Sequence, residues 1–94
     1  MTYSLTFLEE ALKEWRKLPP PLQTQFKKKL AERLEHPHVP HDKLRGMTDC
    51  YKIKLRAAGY RLVYRVIDDR LAVQVITVGK RDKNTVYKKA GKRA

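Results

Sequence analysis

Tyr3, Leu5 and Phe7 alternate with Thr2, Ser4 and Thr6, the period-two pattern of a short strand. From Glu9 the period lengthens. Leu8, Ala11, Leu12, Trp15 and Leu18 recur three or four residues apart, which places them in one stripe along a helix. Glu9 and Glu10 open that helix and Arg16 and Lys17 close it, so both ends complement the helix dipole. Pro19-Pro20-Pro21 breaks it, and the last of these prolines can serve as the first residue of the next helix. There Leu22, Phe26, Leu30 and Leu34 recur every fourth residue until His36-Pro37. The short joint predicts an antiparallel helical hairpin with both stripes against one sheet.

Residues 36–49 read as an irregular link punctuated by Pro37, Pro40 and Gly46. Three strands follow, at about 50–56, 60–67 and 70–78, separated by Ala57-Ala58-Gly59 and Asp68-Asp69. Asn84 is a candidate N-cap for a short basic helix running to about Lys89. The expected fold is α+β in the order βααβββα: a small four-stranded antiparallel or mixed sheet, an N-terminal helical hairpin packed on it, and a short C-terminal helix. Residues 1–94 are expected to form a single domain.

Within the middle strands, Tyr51, Ile53 and Leu55 alternate with Lys52, Lys54 and Arg56. A turn at Ala57-Ala58 pairs residues whose numbers sum to about 115, setting Lys54 opposite Arg61 and Lys52 beside Val63. Tyr51, Ile53, Leu55, Leu62, Tyr64 and Val66 then face the helices. Opposed cations repel, and a phosphodiester spanning them would convert that repulsion into binding energy. A second basic group, Lys80-Arg81-Asp82-Lys83 with Tyr87 behind it, follows the adjacent strand and can close over the same groove.

Charge strengthens this reading. The chain of 94 residues carries a formal +12, which favours a polyanionic partner, and RNA fits best. A hydrophobic content of 41% indicates a folded protein rather than a basic tail. No segment approaches the ~20 apolar residues of a membrane span, and no signal segment opens the chain, so a cytoplasmic location and no membrane partner are expected. Cys50 is the only cysteine, which excludes a disulfide framework and a multi-thiolate metal site; it reads as a partly buried hydrophobe.

Three readings compete for the cationic strip: a solvated face, which suffices for Arg56 and Arg65, a passive RNA platform, and a phosphodiester-cleaving centre. Cleavage through the substrate's own 2′-hydroxyl needs a proton acceptor, stabilisation of charge on phosphorus-bound oxygens, and help for the leaving 5′-oxygen. Lysine can accept the proton only if neighbours depress its pKa, as Lys54 and Arg61 could for Lys52. Arginine suits the developing charge. Charge and spacing alone favour binding over cleavage.

Other chemistry-bearing residues read as structural. His36, His38 and His41 match no tight zinc spacing, although His41 could titrate in an acid–base role. Asp68-Asp69 is a turn pair that could hold a cation only with help from elsewhere. The lysines of the second helix, Lys27, Lys28 and Lys29, read as a solvated face, and Glu9, Glu10, Glu14 and Trp15 as framework. No cofactor and no metal site are expected.

These segments together resemble the RelE toxins of bacterial type II toxin–antitoxin systems. The resemblance rests on Leu12-Lys13-Glu14-Trp15-Arg16-Lys17-Leu18, Lys43-Leu44-Arg45-Gly46-Met47, Asp49-Cys50-Tyr51-Lys52-Ile53-Lys54-Leu55-Arg56, Gly59-Tyr60-Arg61-Leu62-Val63-Tyr64, Val78-Gly79-Lys80-Arg81 and Val86-Tyr87. It spans nearly the whole chain, and is to RelE rather than only to the wider superfamily with ParE. It implies a metal-independent mRNA interferase that enters the ribosomal A site and leaves 2′,3′-cyclic phosphate and 5′-hydroxyl ends. The catalytic set it implies is Lys52 as general base, Lys54 as transition-state stabiliser, Arg61 on phosphate, Arg81 as acid or charge stabiliser, and Tyr87 orienting or stacking the nucleotide. Arg45 resembles a family RNA-contact residue, and RNA contacts are expected for Arg45, Lys52, Lys54, Arg56, Arg61, Lys80, Arg81 and Lys83. The implied partners are a RelB-like antitoxin whose helices displace the C-terminal helix from the groove, the 70S ribosome through 16S rRNA and A-site mRNA, and operator DNA only as the toxin–antitoxin complex. The alternatives are a ParE-like inhibitor of gyrase and a noncatalytic ribosome- or RNA-binding protein. The tail beyond Tyr87 is more basic than the resemblance leads one to expect.

Overall fold

The computed structural model describes residues 2–80 and 85–93. Arg81, Asp82, Lys83 and Asn84, and with them part of the predicted basic group and the predicted N-cap, lie outside the described residues. The elements run β1 (Ser4–Phe7), α1 (Glu9–Arg16), α2 (Pro20–Glu35), β2 (Cys50–Leu55), β3 (Tyr60–Ile67), β4 (Ala72–Lys80) and α3 (Thr85–Arg93). This is the expected βααβββα order. Two short 3-10 turns, Pro40–Asp42 and Asp68–Arg70, are additional.

The four strands form one sheet in the order β1-β4-β3-β2, with β1 parallel to β4 and the other pairs antiparallel. The predicted register of the β2–β3 hairpin holds: Lys54 pairs with Arg61 and Lys52 with Val63. Gly59 sits in the turn at φ +70°, a conformation that costs residues with a Cβ. β4 begins two residues later than the alternation predicts, because Asp68–Arg70 turns tightly and Leu71 adopts a left-handed φ of 50° before the strand starts. α2 begins at Pro20, one residue earlier than expected, with proline in its first turn, where no amide donor is missed.

Strand pleating divides the apolar residues between two cores. On one face Tyr51, Ile53, Leu55, Leu62, Tyr64, Val66, Val73, Val75 and Val78 pack with Ala11, Leu18, Phe26 and Leu30 of the helical hairpin. Trp15 joins this core, its ring 5.5 Å from Phe7 and 6.2 Å from Phe26, as a framework role requires. On the opposite face Cys50, Val63 and Ile76 pack with Ala90 of α3, flanked by Tyr87, Leu44 and Met47. Cys50 is fully buried rather than partly so, and its burial pushes the thiol pKa up, away from reactivity.

β1 covers only the Ala72–Val75 half of β4, which leaves the rest of that strand's outer edge without a partner strand among the described residues. Side chains fill the gap. Glu14 Oε1 accepts from the Val78 amide at 3.3 Å and from the Thr77 hydroxyl at 3.2 Å, while Arg93 Nη1 donates to the Ile76 carbonyl at 3.0 Å. Arg93 also pairs with Glu14 at 2.7 Å and with Glu10 at 3.0 Å, so it ties α3 to α1 across the strand edge. These contacts account for α3 continuing past Lys89 to Arg93, beyond the predicted end.

Burial alone would raise the Glu14 carboxyl, but hydrogen bonds from Arg93, the Val78 amide and Thr77 outweigh it and hold the pKa below the ordinary 4.5. A depressed folded-state pKa gives stability that is fully present above the unfolded value and is lost as pH falls through the folded one. Chemical denaturation at a series of pH values should therefore show a loss below about pH 4.5 that Glu14→Gln removes. At neutral pH the same substitution should cost about 1–3 kcal/mol, because it weakens hydrogen bonds to a charged, half-buried acceptor.

Candidate nucleic-acid interface

The face of the sheet turned away from α1 and α2 carries a row of cations beside α3. Lys52 and Lys54 occupy alternate positions on β2, and Arg61 lies opposite Lys54 on β3. Directly opposed side chains have Cβ atoms about 5 Å apart, and same-face neighbours along a strand are about 7 Å apart. These three cations therefore share one patch. Arg61 pairs on its other side with Gly79 of β4, over which Val86 of α3 packs.

Arg61 is 8% exposed, an unusual state for a guanidinium. Nη1 donates to the Tyr60 carbonyl at 2.9 Å, whereas Nε is buried without a hydrogen-bond partner among the described residues. No carboxylate pairs with Arg61 among the described residues. A buried, partly unsatisfied cation of this kind is set up to receive an anion.

Lys54 is half-buried, and its pKa is pushed below the ordinary 10.5. The largest cause is the charge of Lys52; desolvation and the charges of Arg56 and Arg61 add to it. This is the like-charge crowding the alternation predicted, expressed here on Lys54. Such crowding loosens a lysine proton and gives a proton acceptor nearer neutral pH.

The other predicted residues take varied positions. Tyr87 is half-buried, packed at the edge of the small core of Cys50, Val63, Ile76 and Ala90, on the same face of the sheet as Lys52. Arg56 is exposed just beyond β2, in a polar cleft with Lys29, Arg33, His41 and Lys54. Arg45 is exposed in a recess lined by Lys43, Leu44 and Met47. Lys80 ends β4 with its ammonium 6.0 Å from the Tyr60 ring, and its cross-strand partner is that same Tyr60, which faces the helices. Lys80 thus leans to the side opposite Lys54 and Arg61. Arg81 and Lys83 lie outside the described residues.

One supporting residue carries no role in the sequence analysis. Arg33 of α2 reaches down to the edge strand. Nη2 bonds Asp42 at 2.6 Å, and Nη1 donates to the Tyr64 hydroxyl at 3.0 Å and lies 3.4 Å from the Lys52 carbonyl. Tyr64 in turn donates to the Pro37 carbonyl at 2.7 Å. Its only sequence signal is a cation beside the apolar stripe, where Leu34 already belongs to the helix–sheet contact. Lys27, Lys28 and Lys29 are exposed, in keeping with a solvated face.

Comparison with known proteins gives concordant results. Residues 5–85 match the family described as "ParE toxin of type II toxin-antitoxin system, parDE". The chain is 60% identical over 93 residues to the mRNA interferase toxin RelE of Escherichia coli K12, an alignment covering 99% of this chain and 98% of that protein. The solved structure of a double-arginine mutant of E. coli RelE in the free state superposes with a TM-score of 0.91 at 59% identity, covering 99% of this chain and 98% of the other. The toxin in the crystal structure of the intact E. coli RelBE toxin–antitoxin complex gives a TM-score of 0.83 at 61% identity, covering 85% of this chain and 98% of the other.

The crowding around Lys54 can be measured directly. NMR titration of the lysine side chains should place Lys54 below the ordinary value, and Lys52→Gln, which removes the largest cause, should move it upward. A Lys54 titration unchanged by Lys52→Gln would contradict the coupling.

Proposed function

The chain belongs to the RelE family of the RelE/ParE toxins, and on that premise we propose that it is a ribosome-dependent mRNA interferase: a toxin that cuts mRNA in the ribosomal A site and is neutralised by a RelB-like antitoxin. The observation that carries this reading is the cationic strip, in which a buried Arg61, its Nε without a hydrogen-bond partner among the described residues, stands opposite a Lys54 whose proton is loosened by Lys52. A strip that bound RNA only through charge would have no need to bury an arginine away from water.

In the proposed reaction the substrate's 2′-oxygen attacks the adjacent phosphorus. Its proton passes to a lysine of the Lys52–Lys54 pair, the P–O5′ bond breaks, and the 5′-oxygen takes up a proton. The products are a 2′,3′-cyclic phosphate and a free 5′-hydroxyl. By resemblance Lys52 is the base and Lys54 stabilises the transition state. The lowered Lys54 pKa makes the two lysines a coupled unit, in which losing a proton from one strengthens the hold of the other. Arg61 meets charge developing on the non-bridging oxygens, a role that suits its fixed donor fork. Arg81 is assigned the acid or charge-stabilising role, and Tyr87, which packs on the same face as Lys52, the orientation of the nucleotide. Arg45, Arg56, Lys80 and Lys83 are assigned contacts with RNA phosphates, in mRNA or in 16S rRNA of the 70S ribosome.

Residues 1–94 are proposed to form a single toxin domain that works in the cytoplasm. Among the described residues no helix is long and apolar enough to cross a membrane. The antitoxin is expected to be acidic, matching the toxin's +12 charge, and the pair to bind operator DNA with the antitoxin supplying most contacts. The match to the ParE description supports a second reading as a gyrase inhibitor. Dose-dependent loss of gyrase supercoiling with intact message would favour that one.

End mapping on programmed ribosomes tests the enzyme. Wild type should cut A-site mRNA, and Arg61→Ala on saturated ribosomes should slow cleavage by about 10²–10³-fold, the usual loss for one transition-state donor. Arg81→Ala should retain ribosome binding while losing cleavage. Intact message with wild type bound, or equal cutting by the Arg81→Ala variant, would overturn the respective assignments.

A further inference from the structure

His38 and Asp68 lie thirty positions apart in the sequence, yet the fold brings them into contact at the end of the sheet. His38 Nε2 lies 2.9 Å from Asp68 Oδ1, and Asp49 supplies a third donor. One donor atom from each of His38, Asp49 and Asp68 falls within 4.8 Å of the others. Of the two carboxylates at the β3–β4 turn, Asp68 alone thus gains donors from elsewhere; Asp69 is not part of the group. The three donors come from three separate segments: the link after α2, the residue before β2, and the turn after β3.

From this arrangement we propose that the chain has a second site, unrelated to RNA cleavage, which binds a zinc-class divalent cation through His38 Nε2 and one carboxylate oxygen each from Asp49 and Asp68. Imidazole nitrogen and carboxylate oxygen are both zinc donors, and three protein ligands leave one position of a tetrahedron open to water. Magnesium and calcium prefer oxygen donors alone.

The surroundings can support the ligands from outside the cluster. Nε2 faces the Asp68 carboxylate, which only accepts, so without an ion Nε2 donates its proton there; an ion would take that proton's place, and Nδ1, 2.7 Å from the Tyr51 hydroxyl, would then carry the ring proton and donate it to that oxygen. The Tyr51 ring packs edge-on against His38 at 5.6 Å and stacks on Tyr64, which fixes its position. The Tyr3 hydroxyl donates to Asp68 Oδ1 at 2.7 Å. Asp49 is held by its backbone: it adopts a left-handed φ of 56°, and its carbonyl accepts the Val66 amide at 2.9 Å. Arg65 and Arg70 line the neighbouring recess with Asp49, Asp68 and Asp69, so the local field is mixed and selectivity must come from coordination rather than net charge.

Tyr51 and Tyr64 face the helices, so this site lies on the other side of the sheet from Lys52, Lys54 and Arg61. A bound ion would clip the link after α2 to the turn between β3 and β4 and take no part in the chemistry on the far face.

Calorimetric titration of zinc chloride into the chelator-stripped full chain tests the proposal. Wild type should show one saturable site and a zinc-dependent rise in melting temperature. His38→Ala and Asp49→Asn should each lose both effects, whereas His41→Ala should keep them. Tyr51→Phe, which removes only the hydroxyl beside Nδ1, should weaken binding by about 10–100-fold. A metal-free melt of each variant establishes that it is folded; if Asp49→Asn is not, Asp68→Asn replaces it. Absence of saturable binding in wild type, or wild-type affinity in His38→Ala, would overturn the site. Neither result bears on mRNA cleavage, which is measured separately.

Discussion

The antiparallel register of β2 on β3 is the constraint on which this molecule depends. Shifting it by one residue would turn Lys52 and Lys54 into the helical hairpin and expose Tyr51, Ile53 and Leu55, since strand side chains change face at every step. The register is held from the apolar side, where Tyr51, Ile53, Leu62 and Tyr64 are buried against α1 and α2. Burial on one face thereby holds cations on the other closer together than their mutual repulsion would allow. The cost of crowding Lys54 against Arg61 is met by the hydrophobic core behind them.

A second layer of order fixes the edge strand. Among the described residues β2 has a strand neighbour on one side only, and an unsupported edge strand moves more freely than a central one. Arg33 supplies support from outside, joining the Lys52 carbonyl region, the Tyr64 hydroxyl and Asp42 through one guanidinium. Its neighbours in turn fix Pro37 and the link that follows α2. The backbone carrying Lys52 is thus restrained on one edge by β3 and on the other by α2.

What the sequence disclosed and what it hid follow the range of the interactions. The β2–β3 pairing was legible because a short turn and two alternating patterns determine it locally, and so was the side of the sheet each residue faces. The helical stripes were legible for the same reason. The insertion of β4 between β1 and β3 was not, since the parallel β1 partner lies far away in sequence. Nor was the extra residue at Ile76, where Val63 pairs with Thr77 but Tyr64 with Val75, an irregularity that alternation cannot announce. α3 outran its predicted end because Arg93 finds Glu14 and Glu10 in space, a tertiary gain that local propensity does not contain. At the candidate site, charge alternation found Lys52, Lys54 and Arg61. It could not find the burial of Arg61, which lies across from Gly79, the residue over which Val86 packs.

The outer half of β4 draws a final consequence. Where β1 stops, the exposed main chain of β4 is closed off by Glu14 and Arg93 instead of by another strand. Peeling the last helix away would strip Arg93 from the Ile76 carbonyl and uncover Val63, Cys50 and Ile76 together. The result would be a raw strand margin next to a greasy surface, the combination that seeds self-association. Any partner that takes the helix's place must therefore arrive as a dressing for both, so that opening the toxin and shielding it from its own copies become a single event.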